Sequence, residues 1–341
     1  MEPRKVLLST PDYPPKIGGL TTFTLNIENA LKELNIPYEI FHWKSLKDIS
    51  KFKMGLEGYH TIINTHYMFG FLLYKRFYKD YRFINFVHGS EVTFKSPNKI
   101  KSFLKKMARG QILSYFESSY VNVYVSEFTQ DLILNKGLKL DYSRDIVLHN
   151  CIDTSPGEQH FSSIDDDTII FCSFSRNVPH KNLKGGLKLC EYFYELTKKE
   201  IILYTTDEIP AKSKKVKVIS CKGFSNKDRD IVYQNSHFNL LLSLDHSKKG
   251  FVEGFGLTVL EAGIFGTPSI VLSTGGLPES VHQLKTGIVL ENINFKNIRK
   301  LFKNFGQKEY LQMSESCYFH SIYSHDRDLY KRFLKPVLLG R

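Results

Sequence analysis

Two glutamates, Glu253 and Glu261, enclose a glycine-rich turn in the second half of this 341-residue chain. Seven residues lie between them, beginning with Gly-Phe-Gly, and an apolar-periodic segment that predicts a helix follows at 257–265. The first N–H groups of a helix have no intrahelical acceptor, and the helix dipole is positive at that end. A phosphate can therefore bind there. The spacing predicts an anion site with a carboxylate on each side of it.

Two other candidate sites also follow strand-like segments. Gly18 and Gly19 come after the run 4–10 and open a helix, where adjacent glycines let the backbone approach a phosphate closely. The alternative there is a tight turn that binds nothing. His88 ends the run 83–88, where its ring or its carbonyl can face a bound ligand. The alternative for His88 is a cap on the next element.

Strand-like and helix-like segments alternate along the chain. In the first half, strand-like runs lie at 38–43, 61–66, 83–88, 121–126 and 146–148, and helix-like runs at 20–34, 69–78 and 128–134. In the second half, strand-like runs lie at 168–175, 201–205, 215–219, 238–244 and 268–273, and the pattern after residue 287 is helical. This alternation predicts an α/β fold with parallel, doubly wound sheets. No G-x-G-x-x-G follows the first strand, which disfavours a nicotinamide-dependent enzyme.

Composition is that of a soluble protein, with 42% apolar and 24% charged residues. No run approaches the ~18 apolar residues that cross a bilayer, and no signal-peptide core precedes the first strand. The five cysteines are odd in number and show no C-x-x-C spacing, which predicts reduced thiols in a cytoplasmic protein and no zinc site. The formal charge of +12 is compatible with anionic lipid, phosphorylated substrates or nucleic acid.

A basic amphipathic helix is predicted at 97–109. Its apolar residues recur at helical spacing: Ile100, Phe103, Leu104 and Met107. Its cations lie on the other faces: Lys99, Lys101, Lys105, Lys106 and Arg109. Such a helix is suited to the surface of an anionic membrane, which would place the protein at the inner face of the plasma membrane. An ordinary packed helix with its lysines in water is the equal alternative.

The segment 238–279 resembles the signature of family 4 of the retaining GT-B glycosyltransferases. The matching residues, in order, are Glu253, Phe255, Gly256, Glu261, Ala262, Gly266, Pro268, Gly275, Gly276, Pro278 and Glu279. The resemblance implies the GT-B fold, with two Rossmann-like domains that face each other across a cleft and a C-terminal helix that crosses back to the first domain. It implies an acceptor domain at 1–160, a donor domain at 161–320 and the returning segment at 321–341. The polar segment 154–167 is interpreted as the linker, and its three aspartates at 165–167 as a solvated charge run.

The resemblance also implies a role for each candidate residue. Glu261 binds the ribose hydroxyls of a nucleotide-sugar donor, and Glu253 orients the donor sugar, with His88 on its far side. The backbone N–H groups of Gly256, Leu257 and Thr258 bind the phosphates, and Gly18 and Gly19 lie under them. Arg176 and Lys181 hold the diphosphate, because a leaving nucleoside diphosphate develops negative charge that this fold usually neutralises without a metal. Neither a metal nor a cofactor is expected.

The implied function is retaining transfer of a sugar to an acceptor hydroxyl in the synthesis of envelope polysaccharide, lipopolysaccharide or glycolipid. The chain departs from the family pattern at Cys151 and Ser175, where the family has glycine, and in a longer loop at 245–250. A Lys-x-Gly-Gly-Leu sequence at 16–20 also matches glycogen and starch synthases. Three alternatives stay open: a small soluble acceptor, a DNA acceptor, which is disfavoured, and a non-catalytic scaffold of the same fold.

Overall fold

The computed structural model describes residues 5–16, 18–52, 58–77, 80–152, 162–209, 212–326 and 328–339. Their contacts divide the chain into two units. The first unit comprises Met1–Asp153, Ser247–Phe255 and Asp326–Arg341, and the second comprises Thr154–His246 and Gly256–His325. Most of the predicted linker, at 154–161, lies outside the described residues.

Six parallel strands form the sheet of the first unit. They are β1 (Lys5–Thr10), β2 (Tyr38–His42), β3 (Tyr59–Asn64), β4 (Arg82–Val87), β5 (Val121–Tyr124) and β6 (Asp145–Val147). The helices between them are α1 (Gly19–Glu33), α2 (Leu46–Lys51), α3 (Met68–Phe77), α4 (Lys99–Met107), α5 (Arg109–Ser118) and α6 (Glu127–Leu134). The strand order is β2-β1-β3-β4-β5-β6, so the direction of winding reverses between β1 and β3. The predicted alternation of strands and helices is confirmed in this half of the chain.

A row of hydrogen-bonded polar side chains crosses this sheet. Ser9, Asn64, Asn85, Asn122 and Asp145 are paired from strand to strand in the ladder, and all five are buried. The Asn64 amide donates to the Asn85 carbonyl oxygen at 3.1 Å, Asn85 donates to Asn122 at 3.0 Å, and Asn122 donates to the Asp145 carboxylate at 2.8 Å. Buried polar groups are stable only with partners, so a slipped strand would leave several of them unpaired. The row therefore helps to fix the register of β3 to β6.

Six parallel strands also form the sheet of the second unit. They are β7 (Thr168–Ser173), β8 (Glu200–Thr205), β9 (Lys217–Ser220), β10 (Phe238–Leu241), β11 (Ser269–Leu272) and β12 (Gly287–Leu290). The helices are α7 (Leu183–Thr197), α8 (Asn226–Asn235), α9 (Leu257–Gly263), α10 (Leu277–Ser280), α11 (Phe295–Phe302) and α12 (Gln307–Phe319). The strand order β9-β8-β7-β10-β11-β12 is that of a dinucleotide-binding Rossmann sheet, with its switch point between β7 and β10.

The last helix, α13 (Asp328–Leu339), belongs to the first unit, where it packs on α1. Tyr330 anchors it: its ring meets Phe23 edge-on at a centroid distance of 5.6 Å. The Tyr330 hydroxyl accepts a hydrogen bond from the backbone N–H of Cys151 at 3.1 Å. The predicted return of the C-terminal helix to the first half of the chain is therefore confirmed.

The structure corrects the prediction that the chain is helical from residue 287 onward. Residues Gly287–Leu290 form β12, which pairs in parallel with β11, and the helices start only at Phe295. A Cβ on Gly287 would overlap the carbonyl oxygen of Ser269, so the glycine lets the two strands approach. The short apolar run Gly-Ile-Val-Leu carries no helical period, and only pairing with β11 decides its conformation.

Substitution of Gly70, inside α3, tests how closely this helix packs against the polar row of the sheet. A Cβ there would overlap the Tyr115 hydroxyl, which donates to Asn85 at 2.6 Å. We expect Gly70→Ala to destabilise the protein by about 1–3 kcal/mol, because the buried tyrosine must move. Gly110→Ala in α5 is the matched control, since no described atom lies within 4 Å of its Cβ position. Urea unfolding followed by the fluorescence of Trp43 measures both, and equal stabilities would contradict the expectation.

Candidate functional site

The switch point of the second unit gathers most of the predicted donor-binding residues. Ligands of open α/β sheets bind outside the carboxyl ends of the strands, where the winding reverses. The loop after β7 carries Arg176 and Lys181, and the chain after β10 leads to α9, which begins at Leu257. Four predicted residues lie at or in α9: Gly256, Leu257, Thr258 and Glu261.

The loop after β7 presents two cations in different settings. Arg176 is exposed, and Lys181 is half-buried at the end of a 3-10 turn, Pro179–Lys181. The turn is tied to the extension of β10, since Leu244 N–H donates to the carbonyl of His180 at 2.7 Å. Just before Arg176, the hydroxyl of Ser175 is buried and has no hydrogen-bond partner among the described residues. Buried polar atoms without partners are rare, so this hydroxyl is available to a ligand.

Gly256 sets the start of α9. Its backbone is left-handed, with φ +97°, and a Cβ would lie 2.7 Å from Leu277 and 2.8 Å from Leu241. The fold itself therefore requires glycine at this position. The turn aims the first N–H groups of the helix, including those of Leu257 and Thr258, away from the helix body. Gly18 differs, because a Cβ there meets no described atom within 4 Å.

Glu261 is half-buried in α9 and faces α8. The hydroxyl of Tyr233 donates to its carboxylate at 3.3 Å. Burial raises the pKa of Glu261, and the positive charge of Arg229 opposes that rise. The Arg229 guanidinium lies over the Phe174 ring at 5.9 Å. A carboxylate with one internal hydrogen bond keeps acceptor capacity for the hydroxyl groups of a ligand.

Glu253 and His88 lie in the same unit, although 165 residues of sequence separate them. Glu253 belongs to the segment Ser247–Phe255, which packs with the first unit. Gly254 approaches the end of β4 so closely that a Cβ would overlap the carbonyl oxygen of His88. The structure therefore brings together the two residues that the sequence predicts to be catalytic, through the backbone beside each.

His88 is held as a neutral imidazole. Burial is the largest of the effects that lower the pKa of His88 to about 3; the nearby His66 acts in the same direction, and a hydrogen bond with the backbone of Thr65 opposes the shift. The ring contacts Phe23 edge-on at 4.6 Å. Its Nε2 atom is buried and has no hydrogen-bond partner among the described residues. A neutral ring nitrogen in this state can exchange a hydrogen bond with a bound hydroxyl group.

A cluster of ionisable groups surrounds His88. Glu91 accepts a hydrogen bond from the His88 backbone N–H at 2.5 Å, and burial raises the pKa of its carboxyl group. Burial lowers the pKa of His66 to about 4, with a further contribution from the charge of Lys105. Lys105 reaches this cluster from α4 and is half-buried. His66 directly follows β3, so the cluster lies near the switch point of the first sheet.

The helix α4 presents its apolar side chains to solvent. Exposure is 71% for Ile100, 62% for Phe103, 58% for Leu104 and 71% for Met107, and none of its residues is buried. Four of the five predicted cations are exposed as well: Lys99, Lys101, Lys106 and Arg109. Within the described residues the apolar side of α4 packs against no core, which argues against the alternative of an ordinary packed helix.

Metal-binding clusters and membrane-spanning helices were sought among the described residues. Across the described ranges, we find no group of three or more His, Cys, Asp or Glu side chains that could hold a metal ion. No helix in that part of the chain is long and apolar enough to cross a membrane.

Four residues near Glu261 and Glu253 were not identified from the sequence. From α8, Tyr233 donates a hydrogen bond to Glu261 and the charge of Arg229 opposes the rise in the pKa of Glu261 that burial causes, and the serines Ser90 and Ser126 hydrogen-bond to the backbone beside Glu253. Tyr233 and Arg229 are four residues apart, the spacing of one helix face, but nothing in the sequence pairs that face with α9. Only the fold places these residues.

Residues 157–317 match the family described as Glycosyl transferases group 1. Among curated proteins, none matches the chain in sequence. The solved structures that are similar over nearly the whole chain include the three described next. HepE from Anabaena, crystallised with UDP-glucose, has a TM-score of 0.66 at 13% identity and covers 99% of this chain and 100% of that chain.

Sucrose-phosphate synthase from Thermosynechococcus elongatus has a TM-score of 0.73 at 12% identity, over 99% of this chain and 98% of that chain. A glycosyltransferase from Rickettsia africae has a TM-score of 0.67 at 15% identity, over 99% and 98%. The fold is GT-B. At these identities the structural likeness establishes the fold, and the family match to 157–317 supports a glycosyltransferase.

The neutral state of His88 makes the first unit sensitive to acid. The unfolded chain takes up a proton below about pH 6.5, whereas folded His88 takes one up only near pH 3. The folded-state pKa is depressed, so its contribution to stability is lost as the pH falls through this window. We expect His88→Gln to reduce the pH slope of the unfolding free energy between pH 4 and 6 by about one bound proton. Urea unfolding followed by Trp43 fluorescence measures the slope, and an unchanged slope would count against a neutral His88.

Proposed function

We propose that this protein is a retaining, metal-independent glycosyltransferase of family 4 that transfers a sugar from a nucleotide-diphosphate sugar to an acceptor hydroxyl. One observation carries the proposal. Two cations, a helix start and a half-buried carboxylate come from the loops at the switch point of the second unit, inside the residues that match the family. Such an arrangement can bind a diphosphate and a ribose together.

The donor's diphosphate is assigned to the second unit. Arg176 and Lys181 neutralise the charge that develops on the leaving nucleoside diphosphate, with the N–H groups at the start of α9. Glu261 accepts hydrogen bonds from the ribose hydroxyls, and Ser175 supplies one further hydroxyl beside Arg176. HepE was crystallised with UDP-glucose, which makes uridine nucleotides the first donors to test.

The donor sugar is assigned to Glu253 and His88. A neutral His88 accepts or donates a hydrogen bond at a sugar hydroxyl, and it adds no charge that would stabilise the ground-state diphosphate. Glu253 orients the sugar beside its anomeric carbon. Retention follows when the acceptor hydroxyl attacks on the face that the diphosphate leaves, with a phosphate oxygen as the base. A covalent intermediate on Glu253 is the alternative route to the same stereochemistry.

The acceptor is assigned to a membrane. The exposed apolar residues of α4 and the cations beside them fit the boundary between acyl chains and anionic headgroups. This observation favours a lipid-linked acceptor in envelope glycan synthesis over a small soluble acceptor. A small acceptor remains the second candidate, because one of the similar structures is a sucrose-phosphate synthase.

Donor hydrolysis tests the reaction. We expect the wild type to hydrolyse slowly one nucleotide sugar from a panel of UDP, GDP, ADP and dTDP sugars. Glu253→Ala should lower this rate by about 100-fold or more with nucleotide affinity nearly unchanged, because it removes an interaction with the reacting sugar. Arg176→Ala should reduce both the rate and the affinity, since the diphosphate is bound before and during the reaction.

Lys303→Ala is the control for loss of a surface cation, because Lys303 is an exposed residue just after α11. Similar small effects of Glu253→Ala, Arg176→Ala and Lys303→Ala would refute the assignment of the site. Absence of hydrolysis with every donor, together with no thermal shift by any nucleotide, would support a non-catalytic scaffold.

Vesicle binding tests the assignment of α4. Leu104→Glu should weaken binding to vesicles that contain anionic lipid by about tenfold, because it removes an inserting side chain and adds a repelled charge. Leu46→Glu is a matched control, since Leu46 in α2 of the same unit is also 58% exposed. Co-sedimentation measures both variants. Equal binding of the two variants, or no binding by the wild type, would favour the small soluble acceptor.

A further inference from the structure

The segment that carries Glu253 is held to the first unit by two serine hydroxyls. Ser90 bonds to the residue before Glu253, and Ser126 bonds to the residue after it. We propose that Ser90 and Ser126 are positioning residues that fix the direction of the Glu253 side chain, an inference that rests on the proposed function of Glu253.

Ser90 makes two hydrogen bonds with one residue. It follows His88 and Gly89 at the end of β4 and opens a 3-10 turn, Ser90–Thr93. Its hydroxyl accepts from the backbone N–H of Val252 at 3.3 Å and donates to the carbonyl oxygen of Val252 at 3.2 Å. The peptide groups on both sides of Val252 are therefore hydrogen-bonded to Ser90, which lies two residues after His88 at the end of β4.

Ser126 is fully buried and holds the segment on the C-terminal side of Glu253. It caps α6, where its hydroxyl accepts from the Thr129 N–H at 3.1 Å. The same hydroxyl donates to the carbonyl oxygen of Gly254 at 2.6 Å. A carbonyl oxygen can only accept, so the one proton of the Ser126 hydroxyl is donated to Gly254.

Close packing leaves the segment little freedom between these two anchors. A Cβ on Gly89 would lie 3.0 Å from Val252 and 3.1 Å from Thr129. A Cβ on Gly250 would lie 2.6 Å from the carbonyl oxygen of Lys95. Since peptide groups are planar, holding the peptide group before Glu253 and the one after Gly254 restricts the φ and ψ angles of these two residues. The angles at Glu253 determine where its Cβ points, and hence where its carboxylate can reach.

A positioning role for Ser90 and Ser126 and a role in stability alone predict different kinetics. If the two hydroxyls only stabilised the fold, their loss would lower the free energy of unfolding and would weaken nucleotide binding and donor turnover together. Hydroxyls that aim Glu253 should affect the turnover of the donor and spare nucleotide affinity, because we assign the diphosphate and the ribose to other residues. A small displacement of a catalytic group is enough to lower the rate strongly.

The experiment combines hydrogen exchange with kinetics on the full-length chain. In Ser90→Ala/Ser126→Ala we expect exchange of peptides that cover 247–256 to rise by about tenfold, the size of effect that the loss of a buried hydrogen bond produces. We expect kcat for donor hydrolysis to fall by about 10- to 100-fold with KM nearly unchanged. Ser90→Thr keeps the hydroxyl and should restore most of the rate relative to Ser90→Ala.

Ser45→Ala is the control for the loss of a helix cap in the same unit, because Ser45 caps α2 through Asp48. It should change neither the exchange of 247–256 nor kcat. Faster exchange with unchanged kcat would overturn the positioning role, and so would unchanged exchange. If the wild type hydrolyses no donor, the proposed function fails, and the exchange result still decides whether the two hydroxyls hold the segment.

Discussion

The close approach of the backbone at Gly254 to the carbonyl of His88 is the constraint on which the first unit's site depends. A side chain at position 254 would overlap that carbonyl oxygen, and the left-handed Gly89 leaves room for Val252 on the other side. Because both positions lack a Cβ, a segment encoded 162 residues after Ser90 can lie against the end of β4. The serine hydroxyls Ser90 and Ser126 then bond to the backbone of this segment at Val252 and Gly254.

The candidate residues of the two units differ in charge and in burial. The loops of the second unit carry exposed or half-buried cations, which suit the charge of a diphosphate. Around His88 in the first unit, burial favours the neutral forms of His66, His88 and Glu91. Neutral, partly unpaired polar groups suit the hydroxyls of a sugar, because they exchange hydrogen bonds without the cost of burying a charge. The difference in charge follows from how deeply each set of residues is buried.

Two features reverse the usual rule of polar outside and apolar inside. The buried row from Ser9 to Asp145 is polar, and its members from Asn64 to Asp145 are hydrogen-bonded from strand to strand, while Ser9 accepts from the Trp43 indole. The helix α4 is the opposite case, since its apolar residues lie in solvent while Lys105 is half-buried and its charge acts on Glu91 and His66. The row is explained by its own hydrogen bonds. No packing within the described residues accounts for the exposed side of α4, and for that reason we assign it to a membrane.

The sequence by itself determined most of the strands and helices and the loops that carry the candidate residues. Apolar runs buried on both faces and the glycines before α1 and α9 are local signals, so they could be predicted without a structure. The brief apolar run of β12 was missed, because four residues carry no helical or strand period and their conformation depends on pairing with β11. Tertiary structure alone decided that Gly254, next to Glu253, lies against the His88 carbonyl, that Tyr233 reaches Glu261 and that Ser90 and Ser126 flank the Glu253 segment. These contacts join residues 28 to 166 positions apart, and local propensity contains no information about such pairs.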